Sequence, residues 1–386
     1  MINKSVLLAM ISICAIALSG CYPTGDSRIN QDNIPDYVQK TNDVSENTVS
    51  ESSIDSIESD NSEASIDNIE SDNKINTKFD NVSVNLTLPD VNIESGKNIS
   101  AKMKEWNAED VKNLFFKDKG ELSYREGKSD MFDNANSYTY NLTDDEYLYI
   151  EPGRMRYTTS SNKEYEYRFI ESLIFNRDMS SLFQSKEFSD FSINDAKEKV
   201  QTYLDKLEIN NLGDPIIYSI TAEDANKCFD SYSIIEDRYG NPRKQWTDAQ
   251  QCYYLVYPIN YNGTSFSTNR EQYVLVAITK DELIEFSCVG IIDNSSVKEE
   301  SYDIKYDARQ ALNMVIDYYQ KLSLPGDGAC NADIIDCKLT YVLSDFSRSL
   351  IKNYKPIWEI SAKIKDKDAG TVIMQKYVDP QNGDIS

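Results

Sequence analysis

The chain has 386 residues, 40 Lys+Arg against 64 Asp+Glu, a formal net charge of −24 and no histidine. Without an imidazole there is no Ser-His-Asp or Cys-His catalysis and no His-ligated zinc or haem. So large an acidic excess also excludes the basic face with which proteins displace phosphate counterions, and nucleic acid is not an expected partner.

The first 20 residues read as a signal peptide. Lys4 supplies a positive start, and Val6 to Leu18 is a nearly unbroken apolar run, too short to span a bilayer. It ends in Leu18-Ser19-Gly20-Cys21, with small residues before a cysteine. This pattern resembles the bacterial lipoprotein signal and its lipobox. The resemblance implies cleavage before Cys21 and acylation of its thiol, with palmitate-class chains holding the protein to the lipid bilayer on the extracytoplasmic face. An ordinary signal peptide cleaved elsewhere is the other reading. No later stretch approaches the roughly 20 apolar residues of a spanning helix.

Residues 21–80 read as the acylated cysteine and an acidic stalk. From Tyr22 to Asp80 there are 14 acids and 4 bases, and residues 41–73 hold ten acids and no base. Ser53 to Asn61 recurs as Ser65 to Asn73 with one change in nine. Isolated isoleucines among Ser, Asp and Glu bury too little surface to offset ordering entropy, so a disordered, self-repelling spacer is expected.

Residues 81–190 are expected to form a β-rich N-terminal domain. Val82, Val84, Leu86 and Leu88 alternate with polar residues as in a half-buried strand, and Asn107 caps a short helix bearing Val111, Leu114 and Phe115. Val84 to Val91 (V-N-L-T-L-P-D-V) and Trp106 to Phe115 (W-N-A-E-D-V-K-N-L-F) resemble uncharacterised lipoproteins of Gram-positive bacteria, which imports no chemistry. Residues 136–171 read as an antiparallel meander in which Tyr138 and Tyr140, Tyr147 and Tyr149, and Tyr165 and Tyr167 alternate. These rings form either a core face or an exposed platform for a sugar or a peptide.

Two helices then stand 115 residues apart. One begins at Ser192 and the other at Asp307, each with a side-chain acceptor at the N-cap and Asp195 or Gln310 three residues on. Their apolar residues recur every 3.6 positions, so each needs a sheet to cover one face. Strands follow both: 216–220, 253–259, 273–279 and 283–289 after the first, and 337–343, 357–364 and 372–378 after the second. The expected fold is therefore α+β, with antiparallel sheets each covered by one helix. The first module spans 191–300 and the second 301–386. Asp195-Ala196, Gln310-Ala311, Trp358-Glu359-Ile360 and Tyr377-Val378-Asp379 followed by Gly383 resemble the PepSY domain of secreted and membrane-anchored bacterial proteins. That resemblance implies a small module that binds or regulates, and supplies no catalytic residue.

Past Cys21 five cysteines remain: Cys228, Cys252, Cys288, Cys330 and Cys337. Cys288 reads as a core thiol beside Ile284 and Phe286, while Cys330 and Cys337 could close a short disulfide loop or stay reduced. Ser160-x-x-Lys163 and Ser349-x-x-Lys352 match an S-x-x-K spacing without its companion motifs. No catalytic residue, metal or cofactor is assigned. The expected function is a non-enzymatic binding or regulatory lipoprotein at the cell envelope, with an envelope protein or peptide as partner. The alternatives are a ligand-capturing lipoprotein that uses the tyrosine face, and a hydrolase working through a carboxylate pair.

Overall fold

The computed structural model describes residues 73–386, apart from 90–95, 118, 177–182, 238–239, 268–271, 325–327, 330 and 367–369. The signal peptide, the lipobox Leu18 to Cys21 and nearly all of the stalk lie outside the described residues. The fold is mixed α+β with two large, mainly antiparallel sheets.

In chain order the elements are β1 (Lys74–Phe79), β2 (Val82–Thr87), β3 (Lys97–Lys102), α1 (Ala108–Phe115), β4 (Ser123–Lys128), β5 (Asn136–Asn141), β6 (Tyr147–Glu151) and β7 (Arg154–Thr158). Next come α2 (Ser160–Glu164), α3 (Tyr167–Asn176), α4 (Ile193–Lys206), β8 (Ile216–Ile220), α5 (Ala222–Ser231), β9 (Cys252–Pro258), β10 (Asn260–Tyr261), β11 (Thr264–Phe266), β12 (Tyr273–Thr279) and β13 (Leu283–Val289). The chain ends with β14 (Lys298–Ser301), α6 (Ala308–Lys321), β15 (Ser323–Leu324), β16 (Gly328–Ala329), β17 (Ala332–Leu343), β18 (Ile351–Asp366) and β19 (Gly370–Val378).

The eight-stranded sheet runs β4-β5-β6-β7-β13-β12-β9-β8, antiparallel throughout. The nine-stranded sheet runs β1-β2-β17-β18-β3-β14, with β19 also on β18 and the β10–β11 hairpin on β17. β17 and β18 are its spine. Ala332 to Ile334 of β17 pair in parallel with Val82 to Val84, while Thr340 and Tyr341 pair in parallel with Ser265 and Phe266. β18 likewise takes β3 along Ile351 to Tyr354 and β19 along Trp358 to Asp366.

The strands between 81 and 190 thus do not make a sheet of their own. β2 and β3 join the nine-stranded sheet, and β4 to β7 extend the eight-stranded one through the β7–β13 ladder. The end of the expected meander is also different. Residues 160–164 and 167–176 are helical, and Glu166, at φ 54°, separates the two helices. Tyr167, Ile170, Leu173 and Ile174 recur at helical spacing and are all buried. The alternating Tyr165, Tyr167 and Phe169 lie on top of that stronger period.

α4 and α6 are both 14 residues long, 115 positions apart, and each opens with a reciprocal capping box, Ser192 with Asp195 and Asp307 with Gln310. α4 buries Ala196, Val200 and Leu204 with Phe286 and Val276 of the eight-stranded sheet. α6 buries Ala311, Leu312, Val315, Ile316 and Tyr319 with Ile334, Trp358 and Ile360 of the other. Trp358, 1% exposed, also donates from Nε1 to the Tyr306 carbonyl (2.8 Å) just before α6, which fixes where that helix starts on the sheet.

Trp358→Ala is expected to lower unfolding stability by about 3–5 kcal/mol. Ser192→Ala, which removes only a helix cap, is expected to cost about 1 kcal/mol. Urea unfolding of the two variants side by side measures both.

Candidate functional site

The six tyrosines of the expected platform are dispersed. Tyr138 and Tyr140 lie across from Ile150 and Leu148 and share the core face of the eight-stranded sheet. Tyr147 and Tyr149, one position out of phase with Leu148 and Ile150, point to the opposite face. Tyr140 and Tyr149 are buried, and the Tyr140 hydroxyl donates to Glu109 Oε1 (3.2 Å). Tyr165 and Tyr167 flank the α2–α3 break. The Tyr167 ring packs 4.5 Å from Trp246, and its hydroxyl donates to the Gln250 carbonyl (2.8 Å). No single exposed row exists among these six.

The face that carries Tyr147 and Tyr149 holds a charge cluster instead. Arg156 of β7 and Glu285 of β13 form an ion pair at 2.7 Å, and Arg156 Nη2 lies 3.7 Å from Glu171 of α3. Asn162 of α2 donates from Nδ2 to Glu285 Oε2 (2.6 Å). Two carboxylates therefore share one guanidinium beneath two short helices. Burial, with the Glu285 charge beside it, pushes Glu171 from its ordinary value of 4.5 up to about 7, against the pull of Arg156 and Arg168. Farther along the same face Glu151 pairs with Arg154 at 3.5 Å and accepts from Ser129 Oγ (2.6 Å). Sequence reasoning missed this cluster, although the signal was present: a lone glutamate inside the apolar strand L-I-E-F-S-C-V, and arginines alternating in R-M-R.

On the core side of the same sheet, a cleft of about 360 Å³ opens between α4, the end of α1 and the β12–β13 turn. Its floor holds Leu114, Tyr203, Ile278 and Leu283. Lys199 and Lys206 stand on the α4 wall and Asp281 and Glu282 on the turn. Tyr203 stacks on Phe115 (5.5 Å, 17°), which stacks on Tyr157 (4.8 Å, 22°). Burial raises the Tyr203 hydroxyl above its ordinary range, and the Lys119 charge works against that shift. The two lining threonine hydroxyls donate to main-chain carbonyls, Thr202 to Glu198 (3.1 Å) and Thr279 to Glu282 (3.2 Å). A mainly aliphatic floor between walls of opposite charge suits the cradling of a small amphipathic group.

Cys228, Cys252, Cys288 and Cys337 are free, buried thiols, all raised above the ordinary thiol range by burial. Cys337 Sγ rests 3.9 Å from the Ala308 carbonyl, and Cys330 lies outside the described residues. In the two S-x-x-K pairs, Lys163 engages Asp145 and Lys352 engages the Ser347 carbonyl. Among the described residues, no group of three or more Cys, Asp or Glu is placed to hold a metal ion.

No family model matches the chain, and no curated protein does. A crystal structure of an uncharacterised protein from Eubacterium rectale is similar in fold, with a TM-score of 0.59 at 12% identity. The likeness covers 81% of this chain and 93% of that one. It speaks to the fold alone.

The raised carboxyl sets a pH dependence. A group that titrates higher folded than unfolded binds extra protons in the native state, so stability falls as pH rises through the interval between the two values. For Glu171 that interval runs from 4.5 to about 7. Glu171→Gln, which keeps the shape of the protonated acid, is expected to flatten the decline between about pH 5 and about pH 8. Urea midpoints measured across that range check it.

Proposed function

We propose that this chain is a membrane-anchored lipoprotein on the extracytoplasmic face, and that it binds or regulates an envelope component without catalysing a reaction. The observation that carries the location is the run from Lys4 through the short apolar segment to Leu18-Ser19-Gly20-Cys21. Two acyl chains on Cys21 supply the double signal that makes anchoring stable. In this reading α4 and α6, each on its own sheet, are the helices of two PepSY-like modules, supported by their equal length and matching capping boxes.

Binding is assigned to the cleft beside α4. Its charged walls and apolar floor can hold a peptide or another small polar ligand, and the Thr202 and Thr279 hydroxyls are tied to main-chain carbonyls. The tyrosine face is a poorer surface, because Tyr140, Tyr149 and Tyr167 are buried.

Two outcomes follow. Cys21→Ala is expected to move the protein from the membrane fraction to the medium, as read by fractionation and immunoblot; retention in the membrane would refute anchoring. Lys206→Glu, at an exposed position, is expected to reduce cross-linking of the protein to envelope material at least several-fold while leaving the melting temperature unchanged. Undiminished cross-linking would move the binding surface elsewhere.

A further inference from the structure

The sheets end in several edges, and most of them are defended. β4 carries Arg125, Glu126 and Lys128; β14 carries Lys298, Glu299 and Glu300; β1 carries Lys74 and Lys78. The segment beside β8 is tied to it, with the Lys186 N–H donating to Ser219 Oγ (2.8 Å). Charges and covering segments of this kind are how proteins prevent strands from adding to a sheet.

β19 is different. Its inner edge pairs with β18 from Gly370 to Val378. On its outer edge the chain turns back and covers only the end, where Tyr377 N–H donates to the Ser386 carbonyl (3.0 Å) and Ser386 N–H to the Tyr377 carbonyl (2.9 Å). Among the described residues, nothing pairs with the outer edge from Gly370 to Lys376. That run reads G-T-V-I-M-Q-K, with three β-branched residues, no proline, no acid and a single cation at its end. Thr371 is exposed, and Met374 is 38% exposed.

We propose that this edge docks a second copy of the same chain, β19 adding antiparallel to β19 about a twofold axis through Ile373. The run is self-complementary in that register. Ile373 is its midpoint, so this register alone pairs all seven residues. It sets Val372 against Met374, Thr371 against Gln375 and Gly370 against Lys376. Apolar residues meet apolar ones, polar meets polar, and each lysine faces a glycine instead of its own copy, which avoids the penalty of like charges directly opposed. A chain with a formal net charge of −24 finds here a stretch free of acids. The contact is isologous, so it closes at two copies and does not propagate.

The test uses the full-length protein in mild detergent. Residues directly opposed in an antiparallel pair lie about 4.5–5.5 Å apart, within disulfide reach. Ile373→Cys treated with diamide is therefore expected to give a covalent dimer absent from the unsubstituted chain. Thr371→Cys is expected to give none, because its two copies stand about 14 Å apart. Met374→Lys, at an exposed position, is expected to shift the sedimenting species from dimer to monomer with the melting temperature of the monomer preserved. A monomeric unsubstituted chain at high micromolar concentration, equal cross-linking at 371 and 373, or a dimer untouched by Met374→Lys would each overturn the proposal.

Discussion

The pairing of β17 with β18 is the interaction on which the rest of the fold depends. The ladder runs from Ala332 opposite Ile364 to Leu343 opposite Tyr354, interrupted by a bulge between Ile334 and Asp336. Each strand has a free edge long enough for two neighbours, and takes one at each end. One end of the pair lies under α6, with Ile334, Trp358 and Ile360 in that core. The other end delivers Tyr341 and Tyr354 to a different core, shared with the eight-stranded sheet, where Tyr354 meets Phe266 edge-on at 4.9 Å. The bulge lies within the α6 half of the pair, since Ile334 and Cys337 on either side of it belong to the same core. Without this ladder, β2, β3, β11 and β19 would have no common partner.

The eight-stranded sheet raises a different problem. A guanidinium and a carboxylate sit within it, with the carboxyl of Glu171 from α3 against them, where charges are costly unless paired and hydrogen-bonded. Arg156 and Asn162 answer part of that demand at Glu285, and burial beside the Glu285 charge raises Glu171, which favours its neutral form. The cluster joins β7 and β13 to α2 and α3.

Much of the local structure was legible in the sequence. The 3.6-residue apolar period and the acceptor at each N-cap mark α4 and α6, and alternation marks β2, β5 and β6. The class, helices on antiparallel sheets, followed from those patterns. What the sequence concealed lies between distant segments. Nothing in Val82 to Val84 announces a parallel partner 250 residues later, because a strand's pattern specifies its faces and not its neighbour. The helix from Tyr167 was obscured by tyrosines that alternate and recur helically at once. Likewise, the lone Glu285 was visible as an anomaly, but its partner Arg156 became evident only through the β7–β13 pairing.

The buried thiols have one more consequence. Burial pushes Cys228, Cys288 and Cys337 above the ordinary thiol range, so at neutral pH little of the thiolate that attacks oxidants and disulfides is present. Their burial closes the other route, since a reagent reaches them only through an unfolding event. These four sulfurs therefore serve as small hydrophobes in the cores that hold them. Folding then needs no oxidase or isomerase to sort pairings among these four.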